Sequence, residues 1–536
     1  MLILNKIKEF RDSVYSTFTA RSDANMNTLD ALSSYGHQCN SVVELSEAPC
    51  FERQYTSITD GIADGLVPSQ FKLSTMANAI YNIEKTSATL AVNSADCTIN
   101  QGRVLLVVDC TPNPRPTARK LEDRHITYSP NPAPGNKPIC VGHEYSTVAM
   151  VPNDAPSREK HWLIPLSTQR VSSEKKGHEV GMDQIKTCIE TLPINNKLIV
   201  SLADSKYGSE ACRKKVSQTP HWVHLFRLNS TRNIYSPAED NQQKSDKPIK
   251  NKKRYGAKMT LNKPSTHAPP DEVITNSRIN HQGQQESISI SVWKNQCVRG
   301  SRQFKGHENP MTIFKITIID DQGNARYKKP MWLAVAGQRR HELSATDVFE
   351  YYGFRYDIEH FFRFGKDKLL IDAYQTATTK HEEAWWNLAS TSYLQLYFAR
   401  DAVPLLPKKW ERHLPIYQNT ENHEKTIATP SQTQRAFSIV LDQLGTPAKP
   451  CVPRGNPIGR QLGDTQVPRK THPVIFKAKP AIKLHKNDSV AESEKQDKNS
   501  GPKKVKKLVK SVQTQLKNMG YQVDDFHQLL LKATNA

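Results

Sequence analysis

Two buried-strand runs, the first continuously apolar and the second broken only by Ser201, each closed by an aspartate, constrain this chain more than any other feature. Val104–Val108 stops at Asp109, and Leu198–Ala203 stops at Asp204. Apolar runs without alternation read as strands buried on both faces, the pattern of a parallel sheet covered by helices. Ligands of open sheets gather at strand ends. An acid that closes a strand is therefore a candidate site as well as a turn former.

The surrounding pattern supports an α/β chain. Residues 2–85 read as several short helices, one with apolar residues at Leu4, Ile7, Phe10, Val14, Tyr15 and Phe18, the next capped at Ser22 or Asp23. Tyr145–Val151, Trp162–Leu166 and Trp222–Leu228 read as strands, and Met182–Leu192 as a helix with Ile185, Cys188, Ile189 and Leu192 on one face. Residues 232–285 read as a mobile basic loop that includes Lys250–Arg254. Ile288–Trp293 alternates as a half-exposed strand does. Met311–Ile319 and Trp332–Ala336 follow as strands, with Gly323 in the turn between them. Ser344 caps a long helix predicted to reach Leu370, and a second helix runs over about Glu382–Ala402. Beyond 430 the chain is Pro-rich and polar, then Lys-rich over Lys483–Lys510, with Val505–Leu531 a small amphipathic helix. Three strands, helix, strand, helix, strand, an insertion and a helix are the element order of an RNase H-like domain.

Charge narrows the partner. Lys and Arg number 74 against 53 Asp and Glu, a net charge of +21, which predicts an anionic partner. The excess is local: residues 221–270 carry 10 basic against 3 acidic residues, residues 451–536 carry 17 against 7, and residues 1–100 are net acidic at 7 against 11. No apolar stretch approaches the roughly 20 residues of a membrane span, and the charged start is unlike a signal peptide. The nine scattered Cys, without a CxxC pair, read as reduced thiols of a cytosolic protein rather than disulfides or a zinc site.

Glu359 supplies a third acid. In a continuous helix Tyr352, Arg355, Glu359 and Lys366, at offsets 0, 3, 7 and 14, fall within about 60° of arc. A phenol, a guanidinium, a carboxylate and an ammonium then share one face, while Ile358, Phe361, Phe362 and Phe364 lie elsewhere on the helix. A surface pair between Arg355 and Glu359 would contribute only about 0.3–0.5 kcal/mol and leaves Tyr352 and Lys366 unexplained. Cations beside a metal-binding carboxylate suit a strand whose phosphates run along the stripe. Two strand-end aspartates and a helix glutamate form a donor set for two divalent metals about 3.5–4 Å apart, the arrangement that drives in-line phosphodiester displacement.

The spacing Tyr352-x2-Arg355-x3-Glu359-x6-Lys366 resembles the YREK signature of bacterial insertion-sequence DDE transposases, of the insertion-sequence "four" type. Tyr356–Lys366, Val107–Pro116, Ala203–Gly208, Phe18–Ser34 and Ser41–Pro49 look like the same group, so the resemblance spans roughly residues 10–410. It implies a DNA transposase that cuts at transposon ends and transfers strands into target DNA, by cut and paste through a hairpin. Asp109, Asp204 and Glu359 would be the catalytic, metal-binding triad for two Mg²⁺ ions, with Mn²⁺ as a substitute. Arg355 and Lys366 would contact phosphates, and Tyr352 would position the strand. Trp293 is the candidate for stacking on a flipped base; its other reading is a core tryptophan. Terminal inverted repeats and target DNA would be the partners of a homodimer cutting in trans, in the bacterial cytoplasm at the nucleoid.

The expected organisation is an RNase H-like α/β core, a mixed sheet flanked by helices, interrupted by a β-rich insertion. Residues 1–95 form a helical region for transposon-end binding, 96–228 the first part of the core, and 229–340 the insertion with its basic loop. Residues 341–425 complete the core with the YREK helix, and 426–536 form a basic, partly disordered tail. Arg454–Arg460 reads as a Pro/Gly linker or a minor-groove hook, and Lys503–Lys510 as a solvated charge run adding salt-dependent affinity. Two other readings stay open: an RNase H-like structure-specific nuclease, such as a Holliday-junction resolvase, and a catalytically silent, domesticated DNA-binding protein.

Overall fold

The computed structural model describes residues 2–65, 102–129, 138–192, 197–238, 254–279, 283–406, 409–413, 427–452, 459, 461–465 and 467–476. Lys250–Lys253, Cys97, most of Arg454–Arg460, the Lys483–Lys510 run and the expected helix at Val505–Leu531 lie outside these residues.

β1 (Val104–Pro114) is the centre of a ten-stranded sheet. It pairs antiparallel with β3 (Ile139–Met150), which pairs antiparallel with β2 (His125–Tyr128) and β4 (Ile164–Val171). On its other side it pairs parallel with β5 (Ile199–Ala203), which pairs parallel with β6 (Trp222–Arg227). Val104–Val108 and Ile199–Ala203 are buried throughout, and the one polar residue among them, Ser201, accepts from Trp222 Nε1 at 2.8 Å.

The sheet continues past β6. β12 (Met331–Ala336) pairs antiparallel with it, followed by β11 (Met311–Asp320), β10 (Gln285–Gln296) and β9 (Glu272–Ile279). The strands between residues 272 and 336, expected as a β-rich insertion, thus extend the central sheet. β7 (Asn233–Pro237) and β8 (Tyr255–Thr260) form a separate two-stranded sheet. Three strands therefore lie within the stretch expected to be a mobile loop at 232–285. Its polar composition hid them because β9 is mostly exposed and offers no apolar face.

Neighbouring residues on β1 point to opposite faces. Cys110 faces α5 (Gly177–Thr191), which follows the short α4 (Ala155–Glu159): a Cβ on Gly177 would meet its Sγ at 2.6 Å. Asp109 faces α7 (Ala345–Phe354) and α8 (Asp357–Lys368) through Arg355. The long helix expected from Ser344 to Leu370 is these two helices. Ser344 does cap the first, in a capping box with Asp347. At the junction the bonds tighten: Arg355 N donates to Tyr352 O, Tyr356 N to Gly353 O and Glu359 N to Tyr356 O, each three residues back.

α1 (Leu2–Thr17), α2 (Ser22–Tyr35) and α3 (Thr56–Gly65) share one hydrophobic core with the sheet and with α9 (Thr379–Ala399). Phe10 meets Phe398 at 4.6 Å between ring centres. Arg11 is buried, with Nη2 3.0 Å from Asp30 Oδ2 and Nη1 3.1 Å from Gln395 on α9. α10 (Pro430–Leu444) completes this layer where the sequence read as a polar, Pro-rich stretch. Thr429 and Gln432 form its capping box, with Pro430 in the first turn, and that signal was legible in the sequence.

Candidate active site

Parallel pairing of β1 and β5 sets the site. Val107 lies opposite Leu202, and each strand reaches its aspartate two residues later, so Asp109 and Asp204 close adjacent strands at one end of the sheet. Asp109 Oδ1 accepts from the Cys110 amide at 2.8 Å, and Asp204 caps the turn Ser205–Gly208, accepting from Lys206 N at 2.9 Å. Asp204 thus fills the turn-forming role and lines the site as well.

Arg355 connects the helix to these strands. Its Nη2 lies 3.0 Å from Asp109 Oδ2, and its Nη1 lies 2.5 Å from Glu359 Oε1. The Glu359 side chain is half exposed, at 50 %, whereas that of Asp109 is 18 % exposed. The Arg355 Nε is sealed from solvent with no hydrogen-bond partner.

Burial pushes the Asp109 carboxyl up to about 6; Arg355 opposes that rise, while Asp204 and Glu359 reinforce it. Asp109 therefore feels all three other members of the constellation. Lys366 reaches back from α8 and donates to Pro112 O on β1 at 2.9 Å, and burial lowers its pKa. Tyr352 is 2 % exposed and packs edge-on to Tyr356 at 6.4 Å. Burial raises its phenol pKa, with Arg355, Arg227 and Asp204 within electrostatic reach. Its ring supports the Arg355 junction and is not presented to solvent.

Trp293 lies apart from these residues. It is 4 % exposed, in the separate apolar cluster of the sheet extension, with Trp332 at 5.6 Å and its Nε1–H donating to Ala268 O at 2.8 Å. This is the environment of a core tryptophan. Its ring reaches a base only if that cluster opens.

The sequence reading passed over Arg227. It ends β6 one residue beyond Phe226, which pairs with Ala203, and so adds a cation at the Asp204 end of the sheet. The signal was the one already used for the aspartates, a charged residue closing an apolar run. Also missed was the buried anchor behind the site. Glu382 on α9 accepts from Arg115 Nε at 2.9 Å and Tyr145 Oη at 2.9 Å, and pairs with His143 Nδ1.

Three hard carboxylate donors suit a divalent cation in type and charge. Among the described residues no three His, Cys, Asp or Glu side chains are gathered closely enough to hold one. Between Asp109 and Glu359 the positive charge is supplied by the Arg355 guanidinium. The Arg355 Nε, buried without a partner, shows that the hydrogen bonding of this guanidinium is incomplete.

Residues 13–293, just over half the chain, match a family described as DDE superfamily endonuclease. No curated protein matches the chain. The chain belongs to the DDE superfamily endonucleases. The mixed sheet, with helices on both faces, is compatible with the RNase H-like core of such enzymes. Among the described residues no helix is long and apolar enough to cross a membrane.

Proposed function

We propose that this DDE superfamily endonuclease is a transposase of the YREK insertion-sequence type, cutting DNA at transposon ends and joining those ends to target DNA. The observation that carries the reading is the meeting of Asp109, at the end of β1, with Arg355 and Glu359 across the junction of α7 and α8. Residues at the required spacing on a surface helix would not by themselves reach a strand-end acid.

In this reading Asp109, Asp204 and Glu359 hold two divalent cations, Mg²⁺ or in its place Mn²⁺. Bound there, such ions supply Lewis acidity to an in-line phosphodiester displacement. The chain's own residues do the rest. Arg355 leaves the carboxylates for a phosphate beside the scissile bond, where a planar guanidinium binds in bidentate fashion. Lys366, tethered to the Pro112 carbonyl, adds a second cation on the same strand. The Arg355 guanidinium lies over the Tyr356 ring, 5.4 Å from its centre, and Tyr352 packs edge-on against that ring and so positions the strand through it. Cut-and-paste movement through a hairpin, a homodimer cutting in trans and end recognition by residues 1–95 belong to the same proposal, on the strength of the resemblance.

The test is cleavage of a labelled duplex carrying the element's terminal repeat, with Mg²⁺ or Mn²⁺, by wild type and Glu359→Gln. Metal-dependent cutting at the repeat boundary, lost in the variant, supports the proposal. Binding without cutting by the wild type, under conditions that allow dimers, favours a silent DNA-binding protein. Cutting at branched junctions but not at repeats favours a structure-specific nuclease.

A further inference from the structure

A second cationic site lies away from the carboxylates. β12 runs antiparallel to β6, so its Leu333 end is level with Arg227 and its Ala336 end with His224, farther from Asp204. Just past Ala336, Gly337 has φ 126° and passes so close to β6 that a Cβ would lie 2.6 Å from Trp222 O. That close approach, open only to glycine, brings Gln338 and Arg340 over a cavity of about 170 Å³ that Arg213, Phe304 and Glu308 also line.

Arg213 is the unusual member. It sits on α6 (Glu210–Ser217) and is 3 % exposed. Its side chain forms no hydrogen bond or ion pair with any described residue, and its Nη1 is buried without a partner. The Phe304 ring centre lies 5.5 Å from the guanidinium carbon. An arginine buried and unpaired is among the least favourable arrangements a fold can carry. Burial lowers its pKa and the charge of Arg232 lowers it further, while Glu210 on the same helix partly opposes the fall.

Arg340 faces the same space with its charge equally uncompensated. Its guanidinium donates to Asn295 Oδ1 at 2.6 Å and Gly337 O at 3.3 Å, both neutral. The thiol of Cys297 feels both Arg340 and Arg213. Neither acid nearby forms an ion pair with the two arginines. Glu308 pairs with Lys305 at 2.8 Å, and Glu210 accepts from the Ser301 amide at 3.0 Å.

We propose that Arg213 and Arg340 form a second phosphate-binding site, which takes a backbone phosphate of duplex DNA where the core meets the sheet extension. The inference rests on reading the chain as a DNA transposase. Two guanidiniums around one cavity suit a phosphodiester, which needs several donors at once. An incoming phosphate supplies the direct ion pair that no described residue makes with the Arg213 guanidinium. Gly337 packs on Trp222 and Val223, which pair with Ile199 and Val200 at the end of β5 away from Asp204, so DNA held here would be flanking or target duplex.

The experiment is fluorescence anisotropy of the full chain with a labelled random-sequence duplex lacking the terminal repeat, in EDTA, over a range of salt. Wild type is compared with Arg213→Gln and Arg340→Gln, with Lys186→Gln as an exposed control. Each arginine variant is expected to bind about three- to tenfold more weakly, and to lower the slope of log K against log salt by about 0.9, one phosphate contact. Arg213→Gln should also melt no lower than wild type, because it removes an unpaired buried charge. If Arg213→Gln fails to fold, Arg340→Gln carries the test. Wild-type affinity and slope in Arg340→Gln and in folded Arg213→Gln overturn the proposal. If the wild type binds no duplex at all, the transposase reading falls with it; if it binds and cuts repeats but the variants match it, only the second site falls.

Discussion

Arg355 lies 3.0 Å from Asp109 and, through its other terminal nitrogen, bonds Glu359. One guanidinium thus joins the end of the central strand to the start of the helix that follows the α7–α8 junction. A side-chain cation stands where a metal is expected to neutralise the same acids.

Removing that cation should have effects of opposite sign. In Arg355→Gln the two acids lose a competitor, and a charge-assisted hydrogen bond is worth about 1.5–3 kcal/mol. Mn²⁺ affinity, followed by electron paramagnetic resonance of the free protein, is expected to rise by about tenfold. Cleavage of the repeat duplex by the same variant is expected to fall, because the phosphate contact is gone. Unchanged Mn²⁺ affinity would mean that Arg355 does not compete for the site.

Glu382 should be the acid-sensitive point of the fold. Burial alone would raise its carboxyl, but His143, Arg115 and Tyr145 outweigh that and hold it below the ordinary glutamate value. A depressed folded pKa stabilises the protein above the unfolded pKa of about 4.3, and the gain is lost as pH falls through the folded value. Urea unfolding of the wild type is therefore expected to weaken below about pH 4.3, with a shallower acid limb in Glu382→Gln. Glu382→Ala, which strands Arg115 and His143, is expected to lose about 3–5 kcal/mol at neutral pH.

The N-terminal helices should not be separable. Arg11 and Asp30 are each buried, and the pair reaches α9 through Gln395. Asp30→Ala is expected to destabilise the chain by about 3–5 kcal/mol, read from urea midpoints. A chain lacking residues 2–65 should aggregate, because the α9 surface around Phe398 would be uncovered. A soluble, cooperatively unfolding truncation would show that these helices are an independent module.

Trp293 should matter for stability before anything else. Trp293→Ala is expected to lose about 3–5 kcal/mol, as large buried aromatics do. Trp293→Phe, which keeps most of the ring volume, should retain hairpin formation on a pre-nicked repeat end. Loss of the hairpin in a stable Trp293→Phe protein would instead support the stacking role.

The sequence by itself determined the strands that end in Asp109 and Asp204, because a nearly unbroken apolar run has few places to lie except inside a sheet. It also determined the spacing from Tyr352 to Lys366 and the Ser344 cap, which are local in the chain. Only the tertiary structure decided that the helix would tighten at Arg355, that Tyr352 would be buried, and that Arg355 would meet Asp109, 246 residues away in sequence. It also decided that residues 232–285 would contribute strands, since backbone pairing to a neighbour can hold an exposed, polar strand that side-chain periodicity does not reveal. The buried Glu382 and the unpaired Arg213 were equally illegible. A charged residue in a sequence carries no sign of whether the fold will enclose it, or of which partner, if any, it will meet there.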